Sequence, residues 1–271
     1  LNDQIISVKD PHGYRIYFRE HDHKYYDDDN NNYNSVTKII HSLFPEFERD
    51  KMGYFVARKR LMKKLGVTDK NAVPPKDVFK ERELVFEEWE TTKNDACDMG
   101  TQVHRYCECK LRGIDFDMEL TIDKGKKLVK MADVFLINLL KQYEFIEAEK
   151  IIFRRPWHLA GTVDLIMRNK NTNKLCIFDH KTNKEIKMSD SYGGRGKLFL
   201  NHIDNCNYYH YTLQLSLYKH MLLDGNYGDF EDCELGIFHY KIRKVRCYQL
   251  NDLAQEVKQI AEYAKKIKGT I

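Results

Sequence analysis

The stretch GTVDLIMRNKNTNKLCIFDHKTNKEI, Gly161 to Ile186, puts ionisable groups where strand hydrophobics are expected. Two apolar runs flank a polar turn rich in Asn and Lys. Each run carries an aspartate in its outer half, Asp164 and Asp179, and Lys181 follows at the next position but one. A charge inside an apolar strand costs solvation energy unless it is paired or bound to metal. Paired as a hairpin about RNKNTNK, the two strands bring Asp164 and Asp179 to the same open end, roughly opposite each other. Strand side chains repeat every two residues, so Asp179 and Lys181 share a face while His180 points away. Two close carboxylates repel unless a cation sits between them. Oxygen ligands suit Mg²⁺ or Mn²⁺, which are commonly held by one or two carboxylates with water and substrate phosphate. A nearby lysine can orient or deprotonate a water and offset phosphate charge. Together these groups suit metal-assisted phosphodiester hydrolysis. The bland alternative is a pair of solvated strand ends.

The elements that must position these residues follow from periodicity and punctuation. GYRIYFREHDHKYYDDDNNNYNSVT alternates and reads as a hairpin of exposed strands with a turn at DDDNNN. NSVTKIIHSLF is a short helix capped by Asn34 or Ser35 and broken by Pro45. A basic amphipathic helix follows, ended by Gly66. A second begins at PPKDVF and runs to about Thr91, and a third, NDACDMGTQVHRYCECKLR, is ended by Gly113. DKGKKLVKMADVFLINLLKQYEF is helical and apolar on one face. The character then changes to three strands, a Gly-rich loop (SDSYGGRGKLFLNHIDN), a helix from Tyr208, two strands and a closing helix. This order predicts an α/β fold with a mixed central sheet flanked by helices. Residues 1–145 are expected to form an N-terminal β-hairpin and helical subdomain, and 146–271 the core, as one compact unit overall.

Gly100 and His104 in MGTQVH are four apart on one helix face, as are Gln214 and Tyr218 in QLSLY. In the order G-x-x-x-H, G-x-x-D, D-x-K-T, Q-x-x-x-Y, these groups form one pattern. On MGTQVH, LAGTVDLI, IFDHKT and LQLSLYKHML, the chain resembles the RecB-like branch of the PD-(D/E)xK nucleases, over roughly Ser35 to Tyr240. The early NSVTKII segment looks closest to the mitochondrial genome maintenance exonucleases and their phage or viral relatives. The resemblance implies a restriction-endonuclease-like core. It implies metal binding by His104, Asp164, Asp179 and the His180 backbone carbonyl. It gives Lys181 the water nucleophile, and Gln214 and Tyr218 the placing of lysine and substrate. Val163 stands where the superfamily has proline before the first aspartate. Glu149, at the start of the preceding strand, is either a solvated strand end or a residue that orients the metal ligands; Glu147 is a weaker candidate. Only Cys233 and Cys247 follow Tyr218, so no iron–sulfur cluster is expected. No GxxxxGK[ST] motif appears, so no nucleotide cofactor is expected and any helicase or recombinase partner is another chain.

Of the 271 residues, 42% are hydrophobic and 32% charged, a globular balance. The net charge of +4 permits a nucleic-acid partner without demanding one. Arg195 and Lys197 in the Gly-rich loop are candidates to clamp a strand through phosphates. Ser35 and Thr37 at a helix start are further phosphate candidates, and Tyr211 within NYYHY is a candidate to stack unpaired bases. Seven cysteines at irregular spacing, without a CxxC pair, point to a reducing compartment. No apolar run reaches a membrane-span length, and LNDQIISVKD shows no signal peptide. The expectation is therefore a cytoplasmic location (host cytoplasm if phage or viral), with the mitochondrial matrix as alternative. The expected activity is metal-dependent exonucleolysis of single-stranded DNA or DNA ends. The rivals are a structure-specific endonuclease of the same fold and a non-catalytic nucleic-acid-binding module.

Overall fold

A computed structural model of the chain describes residues 5–191 and 193–270. Two compact units are present: the chain up to Pro45 together with the chain from Gln102 onward, and Glu46–Thr101 between them. The boundary expected at 145/146 falls inside a strand, Tyr143–Arg154.

The larger unit is built on a mixed sheet. Its strands are β1 (Ile5–Lys9), β2 (Arg15–Arg19), β3 (Lys24–Asp27), β4 (Asn32–Ser35), β5 (Tyr143–Arg154), β6 (Leu159–Asn169), β7 (Leu175–Lys181), β8 (Glu234–Lys241) and β9 (Lys244–Leu250). The order is β1-β2-β3-β4-β6-β7-β8-β9, with β5 paired to β6. β4 with β6 and β7 with β8 are parallel, and the remaining pairs antiparallel. The expected α/β class with a mixed central sheet is what the chain forms.

Apolar residues cover this sheet on both sides. α1 (Val36–Ser42), α5 (Asn207–Asp224) and α6 (Ala254–Ile267) share one core with Ile152, Val163, Ile177 and Ile237 of the sheet. Elsewhere Phe135 of α4 (Asp123–Gln142) meets Phe238 of β8 edge-on at 4.8 Å, and Tyr240 at 5.9 Å. The N-terminal strands form a four-stranded meander rather than one exposed hairpin. Ile16, Phe18, Tyr25 and Tyr33 bury one of its faces with Phe153 and Ala160. Ser35 caps α1, its Oγ accepting from the Lys38 N–H at 3.1 Å.

The smaller unit pairs α2 (Arg49–Leu65) with the first part of α3 (Pro75–Arg112) around Ala57, Val73, Val78 and Val85. Arg60 and Glu88 join them through two hydrogen bonds of 2.8 and 2.6 Å. α3 is one helix of 38 residues, not two meeting near Thr91. No Gly or Pro interrupts it there. Thr91 and Thr92, which favour non-helical backbone, return their hydroxyls to the carbonyls of Glu87 and Glu88 at 3.0 and 2.8 Å. Among the described residues, no helix is long and apolar enough to cross a membrane.

Candidate active site

The candidate residues gather at a fork in the sheet. β5 pairs along the whole of β6, so β4 and β7 share the other edge of β6. β4 takes Leu159 and Ala160, and β7 takes Leu165 to Arg168. Gly161 to Asp164 lie between them. The β6–β7 ladder closes at Leu165↔Phe178, and Asp164 and Asp179 are the next residues on the two strands. The hairpin thus brings both aspartates to one open end.

His104 reaches this end from α3. Its Nε2 lies 2.8 Å from the carbonyl oxygen of His180. A carbonyl only accepts, so Nε2 carries the proton and donates. Nδ1 then faces carboxylates, 3.3 Å from Asp164 Oδ2 and 3.6 Å from Glu149 Oε1. The His180 N–H donates to Asp164 Oδ2 at 2.9 Å. Main-chain groups of one residue therefore orient both side chains, and the carbonyl expected as a metal ligand is bonded to His104. Burial opposes charge on His104, but Asp164 and Glu149 outweigh it and push the ring up to about 9.

Asp179 is 1% exposed, and its carboxylate is partnered by the Lys181 ammonium. Burial pushes Asp179 above the ordinary carboxylate range, against the pull of Lys181, whose ammonium lies against it as an ion pair. For Lys181, burial works against the ammonium, but Asp179 and Asp164 prevail and hold it above the ordinary lysine value. The ammonium also lies 4.7 Å from the centre of the Tyr211 ring. Tyr211, expected to stack on bases, thus braces the lysine. The His180 ring points elsewhere, into a buried cluster where Tyr240 OH meets Nδ1 at 2.9 Å.

Gln214 donates to the Tyr218 hydroxyl at 3.2 Å, and the buried Tyr218 ring lies against Gly161. Tyr25 of β3 also reaches β6 beside Gly161. Its hydroxyl lies 3.2 Å from Thr162 Oγ1 across 137 residues of chain, a separation that leaves no local signal.

Glu149 is held in an unusual way. It adopts φ +48° inside β5, a left-handed conformation. Such strain costs about 1–3 kcal/mol in a residue other than glycine. Its flanking pairs are Ala148↔Leu165 and Lys150↔Val163, which set it across from Asp164. Ligand atoms of His104, Glu149 and Asp164 all lie within 4.8 Å of one another. Glu147 is instead paired to Lys150 at 2.7 Å.

The expected nucleic-acid contacts are dispersed. The Arg195 guanidinium is ion-paired with Asp204 and donates to the His202 carbonyl at 3.3 Å. Lys197 Nζ donates to the Ser42 carbonyl at 3.2 Å, tying the loop to the end of α1. Ser35 is occupied as the helix cap, and Thr37 is exposed.

No family model and no curated protein matches this chain. The crystal structure of a "Putative exonuclease" from Eubacterium rectale overlaps 63% of this chain and 68% of its own, with a TM-score of 0.36 at 13% identity. That of SSO0001 overlaps 62% of this chain and 74% of its own, with a TM-score of 0.25 at 15% identity. Likenesses this slight do not bear on activity.

Proposed function

We propose that this chain is a divalent-metal-dependent nuclease that hydrolyses phosphodiester bonds of DNA, acting as an exonuclease on single strands or DNA ends. One observation carries the reading. At the β6–β7 fork, a buried aspartate with only the Lys181 ammonium against it stands beside a second aspartate and a histidine. One ammonium does not balance the carboxylates gathered there, and a divalent cation from solution relieves their mutual repulsion. Carboxylates with one imidazole fit Mg²⁺ or Mn²⁺, and His104, Asp164 and Asp179 would hold the ion. Such an ion, when bound, lowers the pKa of water and polarises a phosphoryl oxygen.

The chain's own groups do the rest. The His180 N–H fixes Asp164, and the His180 carbonyl fixes the proton of His104 on Nε2, leaving Nδ1 toward the carboxylates. Lys181, held between Asp179 and the Tyr211 ring, presents an ammonium that can donate to a water or a phosphate oxygen. Half-buried Tyr208 and Tyr209 on the first turn of α5 offer ring faces to unpaired bases, which a duplex hides.

End-labelled linear and closed circular single-stranded DNA, digested with and without Mg²⁺, test the proposal. Loss of the linear strand in Mg²⁺ with the circle intact is the expected result. Cutting of the circle would make the chain an endonuclease. Full hydrolysis in excess EDTA would refute the metal site, and binding without cleavage would leave only a binding module.

A further inference from the structure

Resting on the metal-dependent reading, we infer that Glu149 is itself a ligand of the cation, and that the left-handed turn of β5 exists to place it there. Two glutamates two apart on a regular strand point to the same side. Here the register shift of β5 lies before both glutamates, and what separates them is the φ of +48° at Glu149. The outcome differs for the two residues. Glu147 is neutralised by Lys150 at 2.7 Å, whereas Glu149 turns its carboxylate to His104 Nδ1 at 3.6 Å.

Eight non-glycine residues among those described have positive φ. Three are asparagines outside helices and strands, and three are the C-caps His23, His158 and Lys268. Leu198 opens a 3-10 turn. Glu149 alone lies within a strand. Glutamate has no special tolerance of this conformation, so its side chain must be worth more in this position than the backbone loses.

Orienting His104 does not explain it. Nε2 of that ring is already fixed by the His180 carbonyl, and Nδ1 already has Asp164 at 3.3 Å. Without a cation, Glu149 adds a third carboxylate beside Asp164 and the buried Asp179, which already takes the Lys181 ammonium, leaving His104 to balance the other two. With a divalent cation, the same carboxylate completes a His104–Glu149–Asp164 ligand group whose atoms already lie within 4.8 Å of one another.

The test is thermal unfolding of the full chain in EDTA and across a Mn²⁺ titration, for wild type, Glu149→Gln and Glu149→Gly. Glutamine keeps the shape and loses the charge; glycine also releases the backbone. The expected result has two parts. Mn²⁺ binding weakens tenfold or more in both variants, shrinking the Mn²⁺-dependent rise in Tm. In EDTA, Glu149→Gly unfolds at or above the wild-type temperature. A wild-type Mn²⁺ rise retained in either variant would overturn the assignment. So would a Glu149→Gly chain that unfolds well below wild type in EDTA, because that marks a structural role. If wild type itself shows no rise with Mn²⁺, the metal-site reading fails and takes this inference with it.

Discussion

Gly161→Ala isolates one contact on which the fork depends. A Cβ built at Gly161 would stand 2.7 Å from Tyr218 Cε1 and 3.1 Å from its hydroxyl oxygen, where ordinary contact begins at 3.4 Å. The ring must therefore retreat by about 0.7 Å, the difference between 3.4 and 2.7 Å. Tyr218 is 3% exposed and set in the main core, so its ring cannot swing into solvent. Overpacking of this kind costs about 1–3 kcal/mol. The same displacement strains the 3.2 Å bond from Gln214 and moves the wall beside Asp164, so activity should fall as well. Urea unfolding of Gly161→Ala, Tyr218→Ala and the double variant measures the effect. With the ring gone, the added methyl group has room, and Gly161→Ala should cost close to nothing in the Tyr218→Ala background. An equal cost in both backgrounds would refute the reasoning, because the strain would then lie in the backbone rather than against Tyr218.

Three further outcomes are expected. Lys181→Ala should leave Mn²⁺ affinity near wild type but slow single-turnover cleavage by orders of magnitude, since the ammonium acts mainly in the transition state; an unchanged rate would reduce it to a passive cation. Lys197→Ala should lower the log–log salt slope of single-strand binding by about 0.7, one phosphate's worth, whereas Arg195→Ala, already paired with Asp204, should change it by clearly less; equal changes would show that Asp204 releases Arg195 to DNA. Burial and neighbouring His41 push His210 down to about 4, while an unfolded histidine protonates near 6.5. As pH falls, the unfolded chain takes the proton first, so this contribution to stability is full above about pH 6.5, declines toward 4 and then levels. Urea midpoints of wild type and His210→Gln across that range should show a shallower decline in the variant, and parallel curves would assign it to other groups.

The parts of the fold that could be read from the sequence are those set by local chemistry. RNKNTNK is a polar turn between apolar runs, and it registers Asp164 beside Asp179 at the end of the β6–β7 ladder. Ser35 as a cap, Gly66 as a left-handed helix end and the α5 face carrying Gln214 and Tyr218 were similarly legible. The sequence reads as two helices meeting near Thr91, but i−4 hydroxyl bonds absorb both threonines into one. Other features are decided by tertiary pairing. Nothing in EAEK separates Glu147 from Glu149, because the left-handed backbone at Glu149 has no local composition signal. The Tyr25–Thr162 contact and the Lys181–Tyr211 ring contact depend on elements far apart in the chain. Arg195 reads as a phosphate clamp in the sequence because nothing local marks Asp204 as its partner.

The most direct test of the metal-dependent site is Asp179→Ala, assayed by Mn²⁺ calorimetry and by Mg²⁺-dependent digestion of end-labelled linear single-stranded DNA, with circular dichroism as the control for folding. The Asp179→Ala change leaves the buried Lys181 ammonium without its ion-pair partner and lowers stability, but a variant that keeps the wild-type spectrum should lose measurable Mn²⁺ binding and leave the strand intact. A folded Asp179→Ala protein that binds Mn²⁺ and digests the strand as wild type does would contradict the account.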